Sequence, residues 1–182
     1  GIQQREPDID KAKSLLKQAG YQGLTTTITT STEKSGQLQA ATLLAQQAKA
    51  AGVTINLHQV PADTYYSTGW PNYPFGQTSY ETAPIPYFYA AALLPGGPFN
   101  DIQWTDSTVV DQLKAALGEL DPSKSKDRWD TVQQTIWDKS GWICWGSSPW
   151  VDGLSKKVQG TTPIRWQLAS FGGYDFANYW LA

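Results

Sequence analysis

Apolar and polar positions recur along this chain with two different periods, and the switches between them outline its elements. Ala12, Leu15, Leu16 and Ala19 repeat at the spacing of one helical face. Asp8 or Asp10 stands where the first free amides need an acceptor, and Gly20 stands where a helix closes in a left-handed residue. Residues 25–30 are β-branched and alternate weakly, which predicts a strand. A polar loop over 31–36 leads to a second helical face, made by Leu38, Ala41, Leu44 or Ala45, and Ala48, that ends at Gly52. Val53, Ile55 and Leu57 then alternate as a half-buried strand. Helix–strand alternation of this kind predicts crossover connections and parallel pairing.

Beyond residue 60 the signals shorten. Pro61 starts a helical turn through Tyr65 and Tyr66. Residues 69–84 mix Gly and Pro with aromatics, and residues 75–80 have the composition of a short strand. A helix is expected over 85–94, stopped by Pro95-Gly-Gly-Pro98. Thr105-Asp-Ser107 starts the next helix, striped by Val109, Leu113, Leu117 and Leu120. Asp121-Pro122 ends it and starts another, with Asp as cap and Pro in the first turn, so the two form an αα-hairpin. Trp129, Val132 and Ile136 share a face of that second helix. Residues 142–145 read as a buried strand, and 150–158 as a further strand with a turn at Asp152-Gly153. The tail from Thr161 has no long period and reads as extended chain that runs over another surface.

Composition narrows the function classes. A chain of 182 residues can bury roughly 70% of its unfolded surface in one domain. Net charge is −2 and no run of like charge occurs, so no nucleic-acid footprint is present. No apolar stretch reaches the ~20 residues that span a bilayer. Neither a signal peptide nor a Met is present, and the expectation is a piece of a longer protein. Aromatics make up 13% of the chain against 16% charged residues. Trp70, Tyr73, Phe75 and Tyr80 fall in the Gly/Pro-rich segment, where loop rings on a rigid scaffold serve ligand contact.

Catalytic and metal chemistry is thin. His58 is the single histidine and is expected at a sheet edge. Cys144 is the single cysteine and is expected as a small buried hydrophobe, since no basic neighbour would activate it. Gly146-Ser-Ser-Pro lacks the second Gly of a nucleophile elbow, and the Gly-Gly pairs at 96–97 and 172–173 lack the Lys of a phosphate loop. The acidic pairs Asp8/Asp10 and Asp127/Asp130 fall on helix starts or faces, where solvated charge explains them. The expectation is a protein that is not an enzyme and uses no cofactor or metal.

Several blocks carry a resemblance when taken in order. They are Asp10-x-Ala-Lys-x-Leu-Leu-x-x-Ala-Gly-Tyr21, Ala51-Gly-Val-x-Ile-x-Leu57 and Gly97-Pro-Phe-Asn-Asp-x-x-Trp-Thr-Asp106. The Leu120-Asp-Pro122 helix pair, Trp142-Ile-Cys-Trp-Gly146, Lys157-Val-x-Gly160 and Tyr174-Asp-Phe-x-x-x-Trp-Leu181 follow. Together they resemble the C-terminal part of the family 5 extracellular solute-binding proteins, the dipeptide, oligopeptide and nickel receptors of ATP-driven importers.

The resemblance implies an α/β fold: one lobe of a bilobal, periplasmic-binding-protein-like receptor, with a mixed sheet flanked by helices. Residues 1–159 would form the second lobe, and residues 160–182 a tail crossing the hinge to a missing N-terminal lobe. The implied role is the substrate-binding component of an ATP-binding cassette importer, extracellular, cell-surface or periplasmic. The implied partners are a small-molecule or peptide ligand, the first lobe and the permease subunits. Peptide-binding relatives place an acid ahead of a Phe-containing helix to meet the peptide amino terminus, and Glu81 occupies the matching position before Phe88. The Trp- and Asp-rich pattern of that loop is not kept, which leaves a neutral or sugar-like ligand open. Lys34 lies in the loop where dipeptide-binding relatives carry a basic residue for the carboxylate. Tyr80, Thr82 and Trp70 are expected cleft contacts by position. The alternative is a carbohydrate-binding or protein-interaction module using exposed aromatics; the helical patterns argue against the all-β architecture typical of carbohydrate-binding modules.

Overall fold

The computed structural model describes residues 2–70, 72–81, 83–149, 151, 153–160 and 179–182. Two strands, β1 (Leu24–Thr30) and β2 (Val53–Gln59), run parallel in register from Leu24 opposite Val53 to Thr30 opposite Gln59. The helix α2 (Gln37–Ala48) connects them and ends in a 3-10 turn, Lys49–Ala51, closed by Gly52 at φ 84°. α2 buries Ala41 and Ala45, and Ile28 of β1 is also buried. Small residues on that face let the helix lie close to the strands, and Leu38 and Leu44 flank them half-buried. The expected face is therefore present.

The first helix, α1 (Ile9–Gln18), is capped by Asp8, whose Oδ1 accepts from the Lys11 amide at 2.8 Å. It leans on the 3-10 turn and has no fully buried residue; Leu15 is 54% exposed. After β2 comes one helical turn, α3 (Ala62–Thr64), which widens into a π turn over Tyr65–Gly69. The strand expected over 75–80 is reduced to a single parallel bridge, Gly76 to Thr29, with the Thr29 amide donating to the Phe75 carbonyl at 2.9 Å.

Three helices build the second apolar centre: α4 (Ile85–Leu93), α5 (Ser107–Leu117) and α6 (Pro122–Lys139). Asp106 caps α5 through the Thr108 amide, and Asp121 caps α6 through the Ser123 and Lys124 amides. Leu93, Val109, Leu113, Ala116, Val132 and Ile136 are buried together. The expected α5 stripe needs correction. Leu117 is 40% and Leu120 92% exposed. The helix stops at Leu117, so Leu120 has left it, and the third inward residue is Ala116, seven positions from Val109.

Two further expectations fail at 142–145. These residues form no strand, and Cys144 is exposed, not a buried hydrophobe. Ile143 and Trp145 are 64% and 60% exposed. A continuously apolar strand needs both faces covered and a pairing neighbour; no described strand pairs with this run, and while Trp142 stacks on Phe88, Ile143 and Trp145 stay exposed. The strand expected over 150–158 falls partly on Trp150 and Asp152, outside the described residues. What is described is β3 (Val158–Gln159), antiparallel to β4 (Trp180–Leu181). The remainder of the tail, 161–178, also lies outside the described residues.

Candidate functional site

In open parallel α/β sheets, ligand sites form beyond the carboxyl ends of the strands. Here β1 delivers the loop 31–36, and β2 delivers the turn that carries Tyr65, Tyr66 and Trp70. Local hydrogen bonds hold the first of these. Ser31 Oγ accepts from the Glu33 amide, and Gln37 Oε1 reaches back to the Lys34 amide, each at 3.2 Å. Gly36, at φ 81°, turns the chain into α2.

Tyr65 braces the strand end. It is fully buried, and its hydroxyl lies 2.7 Å from the Gln77 carbonyl and 3.2 Å from that of Thr29. The Gln77 amide donates to the same hydroxyl at 2.7 Å. Burial pushes the phenol up to about 12, since tyrosinate would be desolvated there. The Gln77 side chain accepts from Thr30 Oγ1 at 2.6 Å and donates to the Gln37 carbonyl at 3.0 Å. Neither Tyr65 nor Gln77 stands out from residue type alone. The usable signal is their place just past the ends of a parallel pair.

Around this brace the candidate residues divide. The Lys34 ammonium is 3.2 Å from Glu33 Oε1 and 5.9 Å from the centre of the Tyr66 ring. Trp70 is half-buried, edge-on to Tyr66 at 5.8 Å and tilted toward Phe99 at 6.5 Å. Tyr80 is half-buried between Phe88 and Phe99, at 5.0 and 5.8 Å, and its hydroxyl donates to the Phe99 carbonyl. Burial, then the nearby Asp101 carboxylate, drive the Tyr80 pKa far above the ordinary tyrosine value. Lys34, Trp70 and Tyr80 thus belong to one chain of contacts through Tyr66 and Phe99. Glu81 is exposed, apart from those contacts. Thr82 lies outside the described residues.

Four polar atoms here are buried without a hydrogen-bond partner among the described residues: Glu33 Oε2, Gln37 Nε2, Tyr66 OH and Trp70 Nε1. Sequence reading passed over Glu33 and Tyr66. Their signal is adjacency: Glu33 precedes Lys34, and Tyr66 lies one turn before Trp70. No group of three or more His, Cys, Asp or Glu side chains among the described residues is placed to hold a metal. No described helix is long and apolar enough to cross a membrane.

The family model for bacterial extracellular solute-binding proteins, family 5 Middle, matches residues 1–100. The chain belongs to that family. Among curated relatives, the glutathione-binding protein GsiB of Pectobacterium atrosepticum is 26% identical over 188 residues, covering 94% of this chain and 36% of its own length. A dipeptide-binding protein from Pseudoalteromonas sp. SM9913, solved with Met-Leu, aligns over 96% of this chain and 36% of its own, with TM-score 0.66 and 20% identity. The binding protein MoaA from A. tumefaciens R10, solved with mannopinic acid, covers 71% of this chain and 28% of its own, with TM-score 0.59 and 26% identity. This family 5 chain therefore spans about a third of the length of the relatives it matches. Its α/β architecture is that of part of a periplasmic binding protein, and the relatives are named for binding.

Proposed function

We propose that this chain supplies one lobe of the substrate-binding component of an ATP-binding cassette importer, and that its solute is a peptide. Residues 1–159 form the second lobe, and residues 160–182 lead back across the hinge to the first. The observation that carries this reading is the set of orphaned polar atoms on Glu33, Tyr66 and Trp70, walled by rings at the carboxyl ends of a parallel strand pair. Support for a peptide comes from relatives named for glutathione and for a dipeptide. The relative bound to mannopinic acid marks the competing outcome, a solute that is not a peptide.

Such a receptor needs no covalent chemistry. Ligand contacts made by both lobes favour the closed state, and the shift is limited by the difference in affinity between the closed and open forms. Lys34 would attract the peptide carboxylate, while Trp70 and Tyr80 would wall the cleft and accept varied side chains. Glu81 and Thr82 would lie on the approach loop to α4. The receptor would work outside the membrane and pass its solute to permease subunits.

Native mass spectrometry of the full-length receptor, purified without refolding, tests this directly. The expected result is a retained peptide, released on unfolding and restored by Met-Leu or glutathione. Retention of a sugar or a metal complex, with no response to peptides, would overturn the peptide assignment. The isolated 182-residue chain is expected to bind the same peptide at least 100-fold more weakly, because half the contact surface is absent.

A further inference from the structure

A strand at the rim of a sheet turns half of its amides and carbonyls away from its neighbour, which makes it a template for another strand. At its carboxyl end β1 is flanked on both sides. β2 pairs with it on one side, and on the other Gly76 bridges to Thr29 while the Phe75 carbonyl accepts from the Thr29 amide. β2 has β1 as its only partner strand among the described residues. Natural edges are guarded by Lys, by Pro, by a bulge or by shortness. β2 lacks all four: it runs over Val53–Gln59 in unbroken register with β1 and contains no Lys, Arg, Asp, Glu or Pro. Asn56, Leu57, His58 and Gln59 are exposed.

The order of side chains along β2 suits one partner, the same strand run backwards. Antiparallel pairing about Asn56 overlaps the whole strand and sets Ile55 opposite Leu57 and Thr54 opposite His58. Apolar then meets apolar on one face, and polar meets polar on the other. A slip by one residue would set Leu57 against Asn56 and turn the apolar faces of the two copies to opposite sides. The charges beyond the strand agree. Lys49 precedes it and Asp63 follows it, each at a separation of four residues. Both are exposed, and neither has an ion pair among the described residues. Antiparallel pairing brings the Lys49 end of each copy to the Asp63 end of the other, whereas parallel pairing would bring like charges together.

We infer that β2 is a self-docking edge, at which two copies of this chain join antiparallel about a twofold axis through Asn56 and form one four-stranded sheet. The carboxyl ends of the two strand pairs then point in opposite directions, so each loop–turn site stays open. The contact is narrow, and narrow interfaces are weak, so the dimer forms in a concentration-dependent way. The inference is independent of the solute that the cleft holds.

Sedimentation velocity of the full-length receptor and of the 182-residue chain, from about 10 µM to about 1 mM, tests it. Both are expected to rise from monomer toward dimer mass. Asn56→Lys sets two ammonium groups against each other on the axis and should weaken the dimer by about 10-fold or more. Its melting temperature should stay within a few degrees of wild type. Lys49→Glu and Asp63→Lys should each weaken the dimer, and the two together should restore it, which a loss of fold cannot imitate. Cys144 is the single cysteine and is exposed, so it is first replaced as Cys144→Ser. In that background Asn56→Cys should cross-link two copies on mild oxidation, because a residue on the axis faces itself, and Thr54→Cys should not. If Asn56→Lys fails the melting control, the charge swap and the cross-link decide. Monomer mass at the highest concentration would overturn the inference. So would a dimer that Asn56→Lys leaves intact, which would point to the exposed Ile143, Trp145 and Trp180 instead. A dimer of the 182-residue chain that the full-length receptor does not form would also overturn it, since the rest of the receptor would then cover the edge.

Discussion

Tyr65 shows how much one side chain does at the strand ends. Its hydroxyl serves Gln77 amide and carbonyl groups and the Thr29 carbonyl at once. Tyr65→Phe keeps the ring but orphans those groups, so a loss of about 1–3 kcal/mol in urea unfolding at pH 7 is expected. The pH dependence has a definite sign. The folded pKa is raised to about 12 from 10.0, so the native state keeps its proton longer than the unfolded chain. This group's contribution is whole below pH 10 and is lost as pH rises toward 12. Wild type should lose stability across that window, and Tyr65→Phe should flatten the slope. An equal slope in both would assign the alkaline loss elsewhere. Gly69 gives a second expectation. A Cβ there would overlap the Tyr73 ring, whose hydroxyl reaches the Tyr65 carbonyl at 3.4 Å. Gly69→Ala must push Tyr73 away, costing about 1–3 kcal/mol by overpacking and altering the near-ultraviolet circular dichroism.

Elements with their own start and stop signals were readable before any coordinates. The paired caps Asp106 and Asp121, with Pro122 in the first turn, mark α5 and α6, and both caps bond as their positions require. The two parallel strands and α2 likewise follow from period and from Gly52. What failed depended on partners. The apolar run at 142–145 reads as a strand only if something pairs with it, and an apolar residue past a helix end gains nothing from the helical period. Leu113 and Leu120 make the contrast measurable. Leu113 is fully buried and should cost about 2–5 kcal/mol as Leu113→Ala. Leu120→Ala, at 92% exposure, should stay within about 0.5 kcal/mol of wild type. Similar losses for both would mean that the stripe continues beyond α5. The site was legible only in part. Lys34, Trp70 and Tyr80 fall within one contact network, but membership depends on Tyr66 and Phe99, which no spacing rule connects.

Across the whole molecule, two apolar centres lie apart in sequence. One gathers Ile28, Ala41, Ala45 and Tyr65 beside the parallel strands, and the other holds α4, α5 and α6. Aromatic rings join them: Tyr66 meets Trp70, Trp70 meets Phe99, and Phe99 meets Tyr80, which stacks edge-on to Phe88. Phe99 is the ring through which Trp70 reaches the helical side, and its amide is tied to the Ala91 carbonyl at 3.0 Å. Each such ring pair adds about 0.5–1.5 kcal/mol beyond area burial. Removing Phe99 therefore severs a mechanical link as well as apolar contact. Phe99→Ala is expected to cost about 2 kcal/mol, below the 3–5 of a fully buried ring because Phe99 is only half-buried. It should also separate the halves. Wild type should melt with coincident far-ultraviolet and tryptophan-fluorescence curves, whereas Phe99→Ala should show two transitions, the strand half and the helical half losing structure at different temperatures. A single coincident transition in the variant would mean that the two centres are coupled by other contacts.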